Sequence, residues 1–420
     1  MKTPINLDNS NLKKYSLSLI EADWLNNLKK ETFARLKTQS IPSKKDEEWR
    51  YTNTEPLIQK CFELATKKSI SNLKNNKSFT QKNNDDNIFI YYADGKFCFM
   101  DKLPPYIKTL RNSDDQVNVE TLLNVDDKKI HSPFTDLNTL LLSDALIIET
   151  LKNQKIDAII HIIICSDIEQ NISPRLLIKL RENSSIRIFE HCLTSNACVI
   201  NSLTEINCEK NSQLDYFKII DEQKDGYHLS LSNIRLSKSS AFNLFSWDSG
   251  AKISRNNINV DLVEENASVN LNNLFSPNEK LHIDNQLKIK HIGEKCESSL
   301  DYRGILKDQS TGVFGGVVYV DQEAANTQSN MANRNLLLSD HARINTKPVL
   351  EIYNEDVQCT HSATSGHLDE EKLFYIQSRG IGESDAMNIL IQSFASELVE
   401  KIKNSQMKRI FQEYLFQKMQ

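Results

Sequence analysis

The chain has 420 residues, 39% of them apolar, enough to bury a substantial core and to divide into two or three structural regions. Its formal charge of -5 gives no global reason to expect nucleic acid or an anionic membrane as partner. No apolar run approaches the roughly 18 residues that span a bilayer, and the first residues lack the apolar centre of a signal peptide. The eight cysteines are scattered without a CxxC pair, which excludes a disulfide framework or zinc finger and points to buried thiols in a reducing compartment.

Residues 1 to about 75 read as helical, with Leu17, Ile20, Trp24, Leu25, Leu28, Phe33 and Leu36 at amphipathic spacing. Pro42 and the charged run Lys44 to Glu48 interrupt them. From Ser69 to Asn87 the composition turns to Lys, Asn, Ser and Gln, the signature of a linker, and a strand is expected over Ile88–Ala93. The longest apolar stretch, Ile156 to Cys165, has strand length.

The middle of the chain consists of brief β-patterned runs broken at polar corners, as in RENSSIRIFEH, EKNSQLDYFKI, SKSSAFNLFSW and EENASVNLNNL. Ser185, Ser212, Ser240 and Ser268 are 27, 28 and 28 residues apart, a period that suits one coil of a β-solenoid. Alternation alone leaves a hairpin-rich sandwich open; the steady period favours a right-handed parallel β-helix. Gly312 to Gly316 read as a bend where coils approach closely, without the Lys-Ser/Thr of a phosphate cradle. Asn333, Arg334 and Asn335 read as a polar corner whose side chains bond the backbone of the next coil.

Near the C-terminus, Leu350, Ile352 and Val357 flank a turn at Asn354, Glu355 and Asp356. Cys359 and His361 are two apart, so an extended chain aims both at one face. After Arg379-Gly380-Ile381-Gly382 the period becomes helical, with Ser384 as expected N-cap and Met387, Leu390, Ile391, Phe394, Leu398 and Ile402 on one stripe. A second stripe, Met407, Ile410, Phe411, Leu415 and Met419, follows a break near Asn404-Ser405. Arg379 and Gly380 are expected to close the β region. There is no GxxxxGK[ST], HExxH or G-x-S-x-G motif, so no enzyme is expected, and any ATP use would belong to a partner.

The strings TKPVLEIYNEDVQCTHSAT, LFYIQSRGI and DAMNILIQSFASEL resemble the C-terminal signature of the SufB/SufD family of iron-sulfur cluster assembly proteins, and the first leans to the SufD side. EEWRYTN, at Glu47 to Asn53, resembles that family's N-terminal region. The resemblance implies a β-helix between helical ends, here divided as a helical region over 1–135, a β-helix core over 136–370 and a C-terminal helical region over 371–420. It implies a SufB-like partner on the β-helix and a SufC-like ABC ATPase on the C-terminal helices, with Met387, Leu390, Ile391, Phe394 and Leu398 as docking residues and a homodimer as the form without partners. It also implies that His361 faces the SufB-like partner and contributes to iron or cluster handling there, with Cys359 a weaker ligand candidate. Asn333 stands where SufB-type chains carry a cluster-building cysteine, and Ser362 where they carry a glutamate, which argues against the scaffold role. A SufB-type scaffold and, outside the family, a polysaccharide-active β-helix enzyme are the alternatives; no transit-like extension is evident, so a bacterial cytoplasm is expected rather than a plastid.

Overall fold

The computed structural model describes residues 23–65, 83–110 and 132–418, apart from positions 94, 167, 195 and 223. Leu17, Ile20, Met419 and most of the expected linker lie outside the described residues. A parallel β-helix of eight coils forms the centre, each coil taking one strand from each of two sheets, with Asn87–Ala93 as one further strand at the start of the first sheet. The first sheet stacks Asn87–Ala93, Lys155–Ser166, Ser185–Thr194, Gln213–Asp221, Ala241–Asp248, Ser268–Phe275, Glu297–Leu306, Thr327–Leu337 and Val357–Gly366 in that order. The second stacks Leu146–Glu149, Arg175–Leu180, Val199–Cys208, Tyr227–Leu236, Ile253–Leu262, His282–His291, Thr311–Val320 and Arg343–Ile352. At the N-terminal end two three-residue strands, Lys96–Cys98 and Ile107–Thr109, pair antiparallel onto the stack.

The corners explain the sequence period. Asn153, Asn183, Asn211, Ser239, Asn266, Lys295 and Asn326 all have φ between 54° and 61°, the left-handed region that asparagine tolerates best among residues with a side chain. Asn183 Nδ2 donates to Asn153 Oδ1 and Asn211 Nδ2 to Asn183 Oδ1, at 2.8 and 2.9 Å, tying successive corners together. From Asn183 onward the residue after each turns inward and is small: Ser184, Ser212, Ser240, Ala267, Cys296 and Thr327 are all buried, whereas Gln154, after Asn153, is larger and half-buried. The four serines singled out by spacing are therefore not one column. Ser185 and Ser268 align with Gln213 and Ala241, one place after Ser212 and Ser240.

Inside, side chains stack in rows. Ile88, Ile160, Ile188, Tyr216, Leu244, Leu271, Leu300 and Met331 form one inward row of the first sheet. Each such burial contributes about 1.5–3 kcal/mol of gross hydrophobic stabilisation. The TGVFGGV segment is part of the strand Thr311–Val320 and not a bend. Its glycines answer to close approach: a Cβ at Gly315 would lie 2.2 Å from Gln286 Oε1, and one at Gly316 2.4 Å from Met331 Sδ. Asn333, Arg334 and Asn335 likewise lie within Thr327–Leu337 and not at a corner. Asn333 Nδ2 does donate to the Tyr302 carbonyl at 3.1 Å, and Asn335 Nδ2 to that of Thr364 at 3.3 Å, so both bond the backbone of neighbouring coils.

The helices lie on the flanks of the solenoid. Helices α1 (Asp23–Leu36), α2 (Glu55–Ala65) and α3 (Pro133–Leu141) cover the second sheet, where Leu36, Leu57, Ile58 and Leu137 join Val199, Tyr227 and Leu229. A boundary at 135/136 falls inside α3. Between α1 and α2, the Trp49 ring packs tilted against Phe134 and lies 3.7 Å from the Arg255 guanidinium, which pairs with Asp284; the Thr52 hydroxyl donates to the same carboxylate. The EEWRYTN segment is thus a strap over the second sheet.

Candidate functional site

The last coil differs from the others. Arg343–Ile352 and Val357–Gly366 each have a strand neighbour on one side only; Val357–Gly366 is mostly exposed and Arg343–Ile352 mostly half-buried, with no fully buried residue in either. A helical cap over this end, the simplest way to hide free backbone donors and acceptors, is absent among the described residues. After Gly366 the chain forms α4 (Glu370–Ser378), α5 (Glu383–Val399) and α6 (Ser405–Lys418), and α5 and α6 turn back along the outside of the first sheet.

His361 pairs with Met331 and so ends the inward apolar row with an imidazole at the open end. Cys359, two residues earlier, is half-buried against the interior, and burial raises its thiol above the usual value. The alternation expected for an extended chain therefore places both on the inward side, His361 exposed and Cys359 partly sheltered. Among the described residues no third cysteine, histidine or carboxylate joins them at ligand distance. One imidazole and one thiol make an incomplete coordination set, which a facing chain would have to finish. His367 is tied down differently, its Nδ1 donating to the Leu337 carbonyl at 3.0 Å.

The C-terminal stripe divides between inside and outside. Ile391 and Leu398 are buried against Phe189, Phe217, Phe245 and Trp247 of the first sheet, together with Met407, Phe411 and Leu415 of α6. Phe394 is half-buried under the Arg303 guanidinium, whose Nη1 donates to the Phe394 carbonyl at 2.6 Å and pairs with Glu397 at 2.8 Å. Arg303, Arg334 and Lys401 converge on Asp301, and their hydrogen bonds and charge outweigh burial to hold its carboxyl below the usual range. Of the five expected docking residues, Met387 and Leu390 keep part of their surface open, whereas Ile391 and Leu398 serve the chain's own core.

Sequence reasoning missed the exposed apolar residues beside them: Phe374 and Tyr375 on α4, 72% and 59% exposed, and Ile389 on α5, 44% exposed. For Phe374 and Tyr375 the local signal was the LFYI run, four apolar residues that a nine-residue helix cannot all bury. The N-cap of α5 is Gly382 rather than Ser384. Arg379 and Gly380 do not close the β region, which ends at Gly366; Arg379 is the C-cap of α4, and Gly380, at φ 86°, makes the turn into α5. The break at Asn404 stands, its side chain accepting from the Met407 amide at 2.9 Å to start α6.

Residues 163–394 match the family described as SUF system FeS cluster assembly, SufBD core domain, and residues 10–99 match the SufBD protein N-terminal region. The chain is 26% identical to the iron-sulfur cluster assembly protein SufD of Escherichia coli over 381 residues, covering 88% of this chain and 87% of that one. A SufBD family iron-sulfur cluster assembly protein of Synechocystis is 27% identical over 380 residues, 86% and 84% of the two chains. The chloroplastic protein ABCI7 of Arabidopsis thaliana is 29% identical over 240 residues, 56% of this chain and 50% of its own. No helix among the described residues is long and apolar enough to cross a membrane.

Proposed function

Since the chain belongs to the SufBD family of iron-sulfur cluster assembly proteins, we propose that it works as the SufD-type, noncatalytic subunit of a complex with a SufB-like protein and a SufC-like ABC ATPase. The observation that carries this reading is the open last coil, with His361 at the end of an inward row and Cys359 beside it. A strand edge left unpaired over ten residues on each sheet is a template for another chain. A SufB-like β-helix docked there would supply the missing ligands, and iron or a nascent cluster would be held between the two chains as cargo. ATP-driven work would enter through α4 and α5, whose Phe374, Tyr375 and Ile389 stay exposed after the chain's own packing is complete.

A SufB-type scaffold role is the weaker reading. Asn333, at the position where SufB-type chains carry a cluster-building cysteine, is buried and bonded to Tyr302 and Asn335, committed to holding coils together. The test is co-expression with SufB-like and SufC-like partners, anaerobic reconstitution with iron and sulfide, and absorption spectra of wild type and His361→Ala. The expected result is an intact ternary complex whose cluster signal falls in the variant. An undiminished signal would remove the ligand role and leave a structural adaptor.

A further inference from the structure

Inside the β-helix, far along the stack from the open coil, Cys192, Glu222 and His228 meet where Ser185–Thr194 and Gln213–Asp221 hand over to Tyr227–Leu236. One donor atom from each lies within 4.8 Å of the others. The Glu222 and His228 side chains are wholly enclosed, with His228 Nδ1 2.6 Å from Glu222 Oε1. Glu222 Oε2 and His228 Nε2 are buried with no hydrogen-bond partner among the described residues. Unpaired polar atoms are costly in an interior, and two in one cluster mark a place prepared for something else.

We propose that Cys192, Glu222 and His228 bind a divalent first-row cation of the zinc or ferrous class, through the thiolate, a carboxylate oxygen and an imidazole nitrogen. Sulfur, nitrogen and oxygen together are the donor set such borderline ions take. Charge supports the same assignment. A thiolate and a carboxylate balance the two charges of the ion, so the occupied site is neutral and burial carries no uncompensated charge. A thiol must give up its proton to bind a metal ion as a thiolate. Entry of the cation therefore releases that one proton to solvent, with no electron transferred.

The surroundings are arranged to permit this. Glu190, whose Oε1 is 3.6 Å from Cys192 Sγ, is already claimed by Lys218 at 3.1 Å and by the Tyr216 hydroxyl, so it does not compete as a free charge. Glu222 has part-exposed backbone at a turn whose Lys224 and Asp225 are exposed, so the site lies one turn beneath the surface. The local sequence offers no motif for this site, because its members come from the ends of different strands; Cys192 aligns with Ile220 in the next coil, and Glu222 follows two places on. The site does not depend on the partner-facing role of His361.

The experiment is an anaerobic titration of the metal-stripped full chain with Co²⁺, read by thiolate-to-cobalt charge-transfer absorption. The expected band saturates near one equivalent, is lost in Cys192→Ser, weakens by about tenfold or more in affinity in His228→Gln, and persists in Cys359→Ser and His361→Ala. No band in wild type, or a band that survives Cys192→Ser, overturns the proposal. X-ray absorption at the cobalt edge of the wild-type chain needs no variant to fold: one sulfur among lighter neighbours is expected, and a shell of nitrogen and oxygen alone is the contrary result.

Discussion

His291 is enclosed, its Nε2 2.8 Å from the Ser298 hydroxyl, and burial brings its pKa down to about 4. The unfolded chain takes up the same proton near pH 6.5. Between those values the unfolded state binds more protons, so this histidine makes stability fall as pH drops from about 6.5 toward 4. His161, bonded to Asn87 and likewise lowered to about 4 by burial, adds to the same slope. His291→Gln is expected to lose about 1 kcal/mol less than wild type on going from pH 7.5 to 5.5, read from urea midpoints; equal losses would contradict it. At this scale the sequence showed parity well and register poorly. The two-residue spacing of Cys359 and His361 was enough to put them on one side, because extended backbone alternates by geometry alone. The serine column slipped by one place because a strand's first residue and the corner residue before it are both small and polar, and only the left-handed residue preceding them marks the true position.

Helix α5 shows what a periodic stripe does and does not reveal. Its apolar spacing states that one face is covered, whichever chain supplies the cover. Here the first sheet covers it at Ile391, Ala395 and Leu398, and Phe411 of α6 fills the same seam with its ring 4.5 Å from that of Phe245. A charge at Leu398 would therefore detach or unfold the helix, not report on a partner. Phe374→Asp combined with Ile389→Asp leaves that seam untouched. The double variant is expected to keep its thermal unfolding midpoint and to lose co-purification with the SufC-like ATPase; retained co-purification would move the docking surface elsewhere. Phe411→Ala, by contrast, is expected to cost about 3–5 kcal/mol, visible as early tryptic cleavage at Lys401 or Lys408 while the β signal in circular dichroism persists. Cleavage no faster than in wild type would show that α6 holds without it.

For the molecule as a whole, the solenoid was legible because the coils entered at Asn183, Asn211, Ser239, Asn266, Lys295 and Asn326 repeat the same demand for a left-handed corner, a small inward residue and alternating strands. The placement of helices on the flanks was not, since it depends on apolar residues on the outer faces of strands, such as Phe217, Phe245 and Trp247, which in sequence look like any other strand position. The openness of the last coil was equally hidden, because nothing within Val357–Gly366 states whether another strand follows it in space. Kept without partners, the chain is expected to sediment as a dimer that Ile352→Lys with Tyr353→Lys, at the exposed rim of the last coil, converts to monomer. A wild-type monomer at the same concentration would count against the end-on contact. The two ends of the stack are unlike: one is finished by short antiparallel strands, Lys96–Cys98 and Ile107–Thr109, and the other is bare. Such a body has a stacking valence of one. Two β-helices that meet bare end to bare end leave no further template at either extremity, so the geometry that invites a partner also forbids a fibre.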